Sequence, residues 1–170
     1  MKTFKTATMA LAMILGVTTV TSAQTVVDIA VGSDNHTTLV AAVKAAELVE
    51  TLSGKGPFTV FAPTNTAFDK LPEGTVATLL EPANKGTLSS ILTYHVVAGT
   101  IDAAAVGKAI KDGKGKAVLT TLQGGKLTAM LKDGKVVLMD EKGGYSTVVA
   151  TDLKGTNGIV HVIDTVVMPK

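Results

Sequence analysis

Gly56-Pro57-Phe58-Thr59-Val60-Phe61-Ala62-Pro63-Thr64-Asn65-Thr66-Ala67-Phe68-Asp69-Lys70-Leu71-Pro72 is the stretch whose reading decides the fold. Phe58–Ala62 is aromatic and apolar apart from one threonine, as expected of a core strand. Pro63 breaks that strand, and a hydroxyl or amide at Thr64 or Asn65 can accept from the free N–H groups of a following helix. Ala67, Phe68 and Leu71 then form the apolar side of a short helix that Pro72 stops. A strand that runs straight into a helix in this way fixes one strand-to-helix corner of the domain.

Upstream, Leu39, Ala42, Val43, Ala46 and Val49 recur at helical spacing, with Thr37 or Thr38 as the cap and Gly54, Gly56 and Pro57 as the stop. Thr25–Val31 is a short apolar element of ambiguous type. Downstream, short helices are expected at 75–80 and 87–95, the second with Leu88, Ile91, Leu92 and His95 on one face, and another from 103 to 110 capped by Asp102. After Gly115 the period changes from 3.6 to 2. Leu119–Leu122, Leu127–Leu131, Val136–Met139, Ser146–Ala150 and Gly158–Val167 read as strands, with Gly124-Gly125 and Asp133-Gly134 as hairpin turns. Helices in the first half and antiparallel strands in the second imply an α+β domain.

The start of the chain has its own pattern. Lys2 and Lys5 precede an apolar run from Ala7 to Val20, and Thr21-Ser22-Ala23 supplies small residues. Residues 1–23 therefore read as a secretory signal peptide, leaving a domain of residues 24–170 outside the cytoplasm, released or periplasmic. The run is too short to span a bilayer, and without cysteine no lipid-anchored residue can follow the leader. The 16 basic residues are all lysine; without Lys2 and Lys5, 14 remain against 14 acidic residues, a formally neutral domain. A nucleic-acid partner is not expected of a chain with neither arginine nor a basic stripe visible in its sequence.

Candidate chemistry is sparse. Among the histidines, His36 lies in a polar run and reads as solvated, His95 falls on an apolar helix face, and His161 sits in an apolar strand near Asp164. Two of the histidines with Asp164 or another carboxylate make a conceivable metal set, but no local ligand spacing supports it, and a hydrogen-bonded structural histidine is the preferred reading. No serine lies in a Gly-x-Ser-x-Gly elbow, and the 17 glycines lack the order of a phosphate loop. No catalytic residue, cofactor or metal is assigned.

Three blocks resemble the fasciclin (FAS1) domain family: the opening stretch 56–72; Leu92-Thr93-Tyr94-His95-Val96-Val97, with Gly99 soon after; and Asn157-Gly158-Ile159-Val160-His161-Val162-Ile163-Asp164-Thr165-Val166-Val167-Met168-Pro169. The resemblance implies a wedge of two mainly antiparallel β-sheets with several short helices packed over one side. It marks Phe61, Pro63, Thr64, Asn65, Phe68, Asn157, Gly158, His161 and Asp164 as fold-motif residues. It also implies a secreted, non-enzymatic interaction module in cell-surface or extracellular-matrix adhesion, whose partner is a protein or polysaccharide. In animal adhesion modules integrin binding is associated with a Tyr-His motif, matched here by Tyr94 and His95, as a partner contact or a structural element. The rival reading is a carrier or sensor of a small apolar ligand held between sheet and helices.

Overall fold

Phe58–Pro63 forms strand β1, hydrogen-bonded on both sides: antiparallel to β2 (Val96–Ala98) and parallel to β7 (Gly158–Ile163). That central position explains its apolar run, because both of its faces are covered. Val60 and Ala62 pack against the helices, whereas Phe61 points to the opposite side. The computed structural model describes residues 23–170, so the predicted leader, save Ala23, lies outside the described residues.

Among the described residues seven α-helices accompany the sheet: α1 (Val26–Val31), α2 (Thr37–Ala45), α3 (Val49–Ser53), α4 (Asn65–Asp69), α5 (Thr75–Leu80), α6 (Lys85–Tyr94) and α7 (Ala103–Asp112). The remaining strands are β3 (Lys116–Thr120), β4 (Lys126–Lys132), β5 (Lys135–Met139) and β6 (Tyr145–Lys154). The architecture is α+β, with helices over a mixed sheet. The expected pair of packed sheets is replaced by one continuous sheet of order β2-β1-β7-β6-β5-β4-β3. Its far edge returns to the start: Thr121 bridges Val97, and the Leu122 N–H donates to the Val96 carbonyl at 2.8 Å. The physical reason is β6, a ten-residue strand whose register against β7 shifts between Val148 and Ala150 and again before Leu153. Such irregularities bend and twist a strand, so β6 serves both halves of the sheet and rolls it toward a barrel.

Two cores result. Leu39, Val43, Phe68, Leu88, Ile91, Leu92 and Val160 fill the space between helices and sheet. Phe61, Tyr94, Ile110, Leu127, Leu138 and Ile163 fill the interior of the rolled sheet, with α7 closing it through Val106 and Ile110.

Local chemistry departs from expectation at three places. The ambiguous segment is helix α1, closed by a capping box: the Asp28 N–H donates to Thr25 Oγ1 at 3.3 Å, and the Thr25 N–H donates to Asp28 Oδ2 at 2.8 Å. The single helix expected around Leu39–Val49 is split, because Glu47 adopts a left-handed φ of 56° and the Leu48 N–H donates back to the Val43 carbonyl. Neither Thr37 nor Thr38 caps α2 with its side chain. Asn65 Oδ1 accepts instead from the Thr38 N–H at 3.0 Å and the Thr37 hydroxyl at 3.2 Å, while Asn65 Nδ2 donates to the Asp34 carbonyl.

Asn157 and Gly158 register β7 against β1. Asn157 Oδ1 accepts from the Val26 N–H, and Nδ2 donates to the Leu52 and Gly54 carbonyls, tying α1 and α3 to the sheet. A Cβ on Gly158 would lie 1.9 Å from the Phe58 carbonyl oxygen. Gly158→Ala must therefore push two central strands apart, and we expect a loss of about 1–3 kcal/mol. Urea unfolding checks this; an unchanged midpoint would contradict the packing described.

Candidate functional site

Helix α6 carries Tyr94 at its last position and His95 at its C-terminal cap, and the chain turns there directly into β2. This geometry sends the two side chains into different surroundings. Tyr94 is fully shielded inside the rolled sheet, where its hydroxyl donates to the Lys126 carbonyl at 2.7 Å and accepts from the Glu141 N–H at 3.2 Å. Burial pushes its pKa up to about 12, the Glu141 and Asp140 charges adding to the effect and the Glu141 N–H opposing it. Gly125 makes room for the ring, since a Cβ there would lie 2.7 Å from Tyr94 Cε2.

His95 is 2% exposed. Its Nδ1 faces the Ile91 carbonyl at 2.8 Å and its Nε2 faces the Val167 N–H at 3.2 Å. A carbonyl can only accept and an amide can only donate, so the ring is neutral with its proton on Nδ1. Burial pushes its pKa down to about 4, against the opposing pull of the Ile91 carbonyl and the Asp140 carboxylate.

His161 has a separate network. Its Nε2 donates to the Ile101 carbonyl at 2.8 Å, its Nδ1 accepts from the Asp152 N–H at 3.4 Å, and its ring stacks on Phe61 at 5.5 Å between centroids. Asp164 does not approach an imidazole as a hydrogen-bond partner. Its Oδ1 accepts from the Thr147 N–H and the Thr165 hydroxyl, and its Oδ2 lies 3.7 Å from Lys70 Nζ. Among the described residues no group of three or more His, Asp or Glu is placed to hold a metal ion.

His36, read as solvated, is buried instead, with Nδ1 2.8 Å from Ser33 Oγ. Burial lowers its pKa, with the Ala62 backbone opposing the shift, and its Nε2 has no hydrogen-bond partner among the described residues. Thr64 caps α4 through the Ala67 N–H, Phe68 faces the helical core, and Pro63 ends β1 fully buried.

Sequence reasoning missed Asp140. Its Oδ1 accepts from the Lys142 and Gly144 N–H groups, and its Oδ2 accepts from the Met168 N–H at 3.0 Å. One buried carboxylate thus shapes the β5–β6 turn and pins the C-terminal segment that also covers His95. The local signal was Asp140 followed by Gly143-Gly144, an Asx-type turn pattern.

Two spaces among the described residues bear on the ligand-carrier reading. An open cleft of about 870 Å³ lies where β1 and β7 begin, lined by Lys55, Pro57, Thr100, Asp102, Lys154 and Thr156. An apolar cavity among α1, α2, α3 and β1 measures about 70 Å³, with Val27, Leu39, Val43 and Leu52 in its wall.

A rolled mixed sheet, helices over one side and a buried Tyr-His pair at the end of α6 are the geometry with which known proteins can be compared. The fasciclin domain model matches residues 34–169. The chain belongs to the fasciclin domain family. It is 52% identical over 148 residues to protein sll1483 of Synechocystis sp., covering 87% of this chain and 75% of that protein. It is 39% identical over 149 residues to immunogenic protein MPB70 of Mycobacterium bovis, covering 83% and 68%. Its fold is similar to a FAS1 domain pair from the insect cell adhesion molecule fasciclin I, with a TM-score of 0.74 and 20% identity, covering 84% of this chain and half of that one. The fasciclin I pair comes from a protein described as an insect cell adhesion molecule. Among the described residues no helix is long and apolar enough to cross a membrane.

Proposed function

We propose that this fasciclin domain is exported by a leader cleaved after Ala23 and acts outside the cytoplasm as an interaction module in cell-surface or matrix adhesion. Its partner is a protein or polysaccharide of that surface or matrix. The observation that carries the reading is the burial of Tyr94, His95 and His161, each already engaged in hydrogen bonds within the core. Polar groups so engaged are not themselves poised for acid–base work, and the domain offers its environment a surface. Tyr94 and His95 act as structural locks, and partners are met elsewhere.

The carrier reading finds little support. The apolar cavity of about 70 Å³ falls well short of the several hundred Å³ of ordinary ligand pockets, and the larger cleft is open, with the charged Lys55, Asp102 and Lys154 in its lining. Residues 24–170 contain all seven strands and both cores, so they can be tested alone. We expect saturable binding to at least one of cell-envelope fragments, an envelope polysaccharide or a matrix protein. Binding no greater than that of an unrelated neutral protein across the panel would contradict the proposal.

A further inference from the structure

The formal neutrality of residues 24–170 hides a segregated charge. Alternation along β3, β4 and β5 sends Ala117, Leu119, Leu127, Ala129 and Leu138 into the interior, so the intervening residues share the outer face. Four of these are Lys116, Lys126, Lys132 and Lys135, all exposed. The register sets Lys116 opposite Met130, Thr120 opposite Lys126, and Lys132 opposite Lys135. No outward position on these strands is acidic, and among the described residues none of the four lysines is ion-paired. Asp133 lies in the β4–β5 turn, and Glu141 accepts from the Lys126 backbone N–H.

Between the lysines the same face is apolar. Val118, Thr128, Met139 and Tyr145 form one row across four strands, and Met130, Val137 and Thr147 form the next, in which Val137 is buried by its neighbours. Val118 is 60% and Tyr145 59% exposed, and Val149, farther along β6 at its register shift, is 56% exposed. Packing does not require this, because the core lies on the other side of the sheet. Like charges facing each other at Lys132 and Lys135 are a cost to the isolated sheet.

We propose that the outer face of β3–β6 docks on an anionic lipid surface, holding the module against a membrane. An acidic headgroup layer complements the four lysines. Their long stems let the charges reach headgroups while Val118, Tyr145 and Val149 meet the acyl boundary. An acidic polysaccharide would satisfy the lysines but offers little apolar surface to these three residues. The inference goes beyond the adhesion reading, since it names what holds the module near the cell rather than what it joins to.

The test is co-sedimentation of residues 24–170 with phosphatidylcholine vesicles, with and without phosphatidylglycerol. We expect binding only to the anionic vesicles, falling as salt is raised. Each lysine near such a surface contributes about fivefold in affinity, so the K116E/K132E/K135E variant should lose roughly 100-fold or more. V118S/Y145S should weaken binding while leaving its salt dependence in place. Urea midpoints of both variants, expected near wild type because the positions face solvent, exclude unfolding as the cause. Absent vesicle binding, equal binding to neutral vesicles, or wild-type binding by the folded triple variant would overturn the proposal. So would capture by a polyuronate without vesicle binding, which would assign the face to acidic glycans. Absent vesicle binding together with saturable envelope or matrix binding would sink the lipid contact and leave the adhesion reading standing.

Discussion

Tyr94→Ala should cost about 3–5 kcal/mol of unfolding free energy, the range for removing a large aromatic side chain from a packed core. The ring is fully shielded, and its hydroxyl joins the Lys126 carbonyl to the Glu141 N–H, linking the start of β4 to the chain just past β5. Removing it leaves a cavity inside the rolled sheet and strands two backbone groups. Tyr94→Phe keeps the ring and should cost only about 1–3 kcal/mol, the penalty for unpaired partners. Tyr145→Ala is the control: that ring is 59% exposed, and its loss should change stability by no more than about 0.5 kcal/mol. Urea midpoints followed by circular dichroism separate the three. A Tyr94→Ala midpoint matching that of Tyr145→Ala would contradict the role given to Tyr94.

Acid should weaken the fold before most carboxylates titrate. His95 has a folded pKa of about 4, below the ordinary histidine value of 6.5, because burial disfavours its charged form. Between these values the unfolded chain binds the proton and the folded chain does not, so stability falls as pH falls. The contribution is fully present above about pH 6.5 and is lost progressively down to about pH 4. Its upper bound is about 3 kcal/mol, from 1.36 kcal/mol per pKa unit. His36, also lowered by burial, acts in the same direction. Denaturant unfolding at pH 7, 6 and 5 should show the decline, and His95→Gln should start less stable but fall less steeply. Identical slopes in the two proteins would remove His95 as the source. Tyr94 gives the opposite limb: its raised pKa means stability is lost as pH rises from about 10 toward 12.

What sequence reading captured and what it missed follow from the range of the forces involved. The β1–α4 corner, the two glycine-marked hairpins and the helical face of α6 were legible because strand composition, turn chemistry and helical period act over a few residues. The break at Glu47 was not, since a left-handed glutamate carries no local signal and the break seats Leu52 in the helical core. The Thr25–Asp28 capping box was readable in principle, but it closes a helix of only six residues. The single rolled sheet depends on bulges in β6, and pairing register is a tertiary property.

The candidate residues divide in the same way. The spacing that put His95 on an apolar face correctly implied burial, whereas the polar neighbours of His36 gave the opposite impression. Asp140 was invisible as an anchor because one of its partners, the Met168 N–H, is 28 residues away. The lysines of β3–β5 were visible one by one. Their common face emerged only when the register placed them side by side, and a neutral total had concealed it.

The central claim is that this fasciclin domain meets its environment through its surface while Tyr94 and His95 lock its interior. The most direct measurement compares equilibrium binding of wild type and Tyr94→Phe, residues 24–170, to cell-envelope fragments at a temperature where both are folded. The account predicts saturable binding with the same affinity for both proteins, despite the lower stability of the variant. Absence of saturable binding by wild type, or a marked loss of affinity in the folded variant, would contradict it.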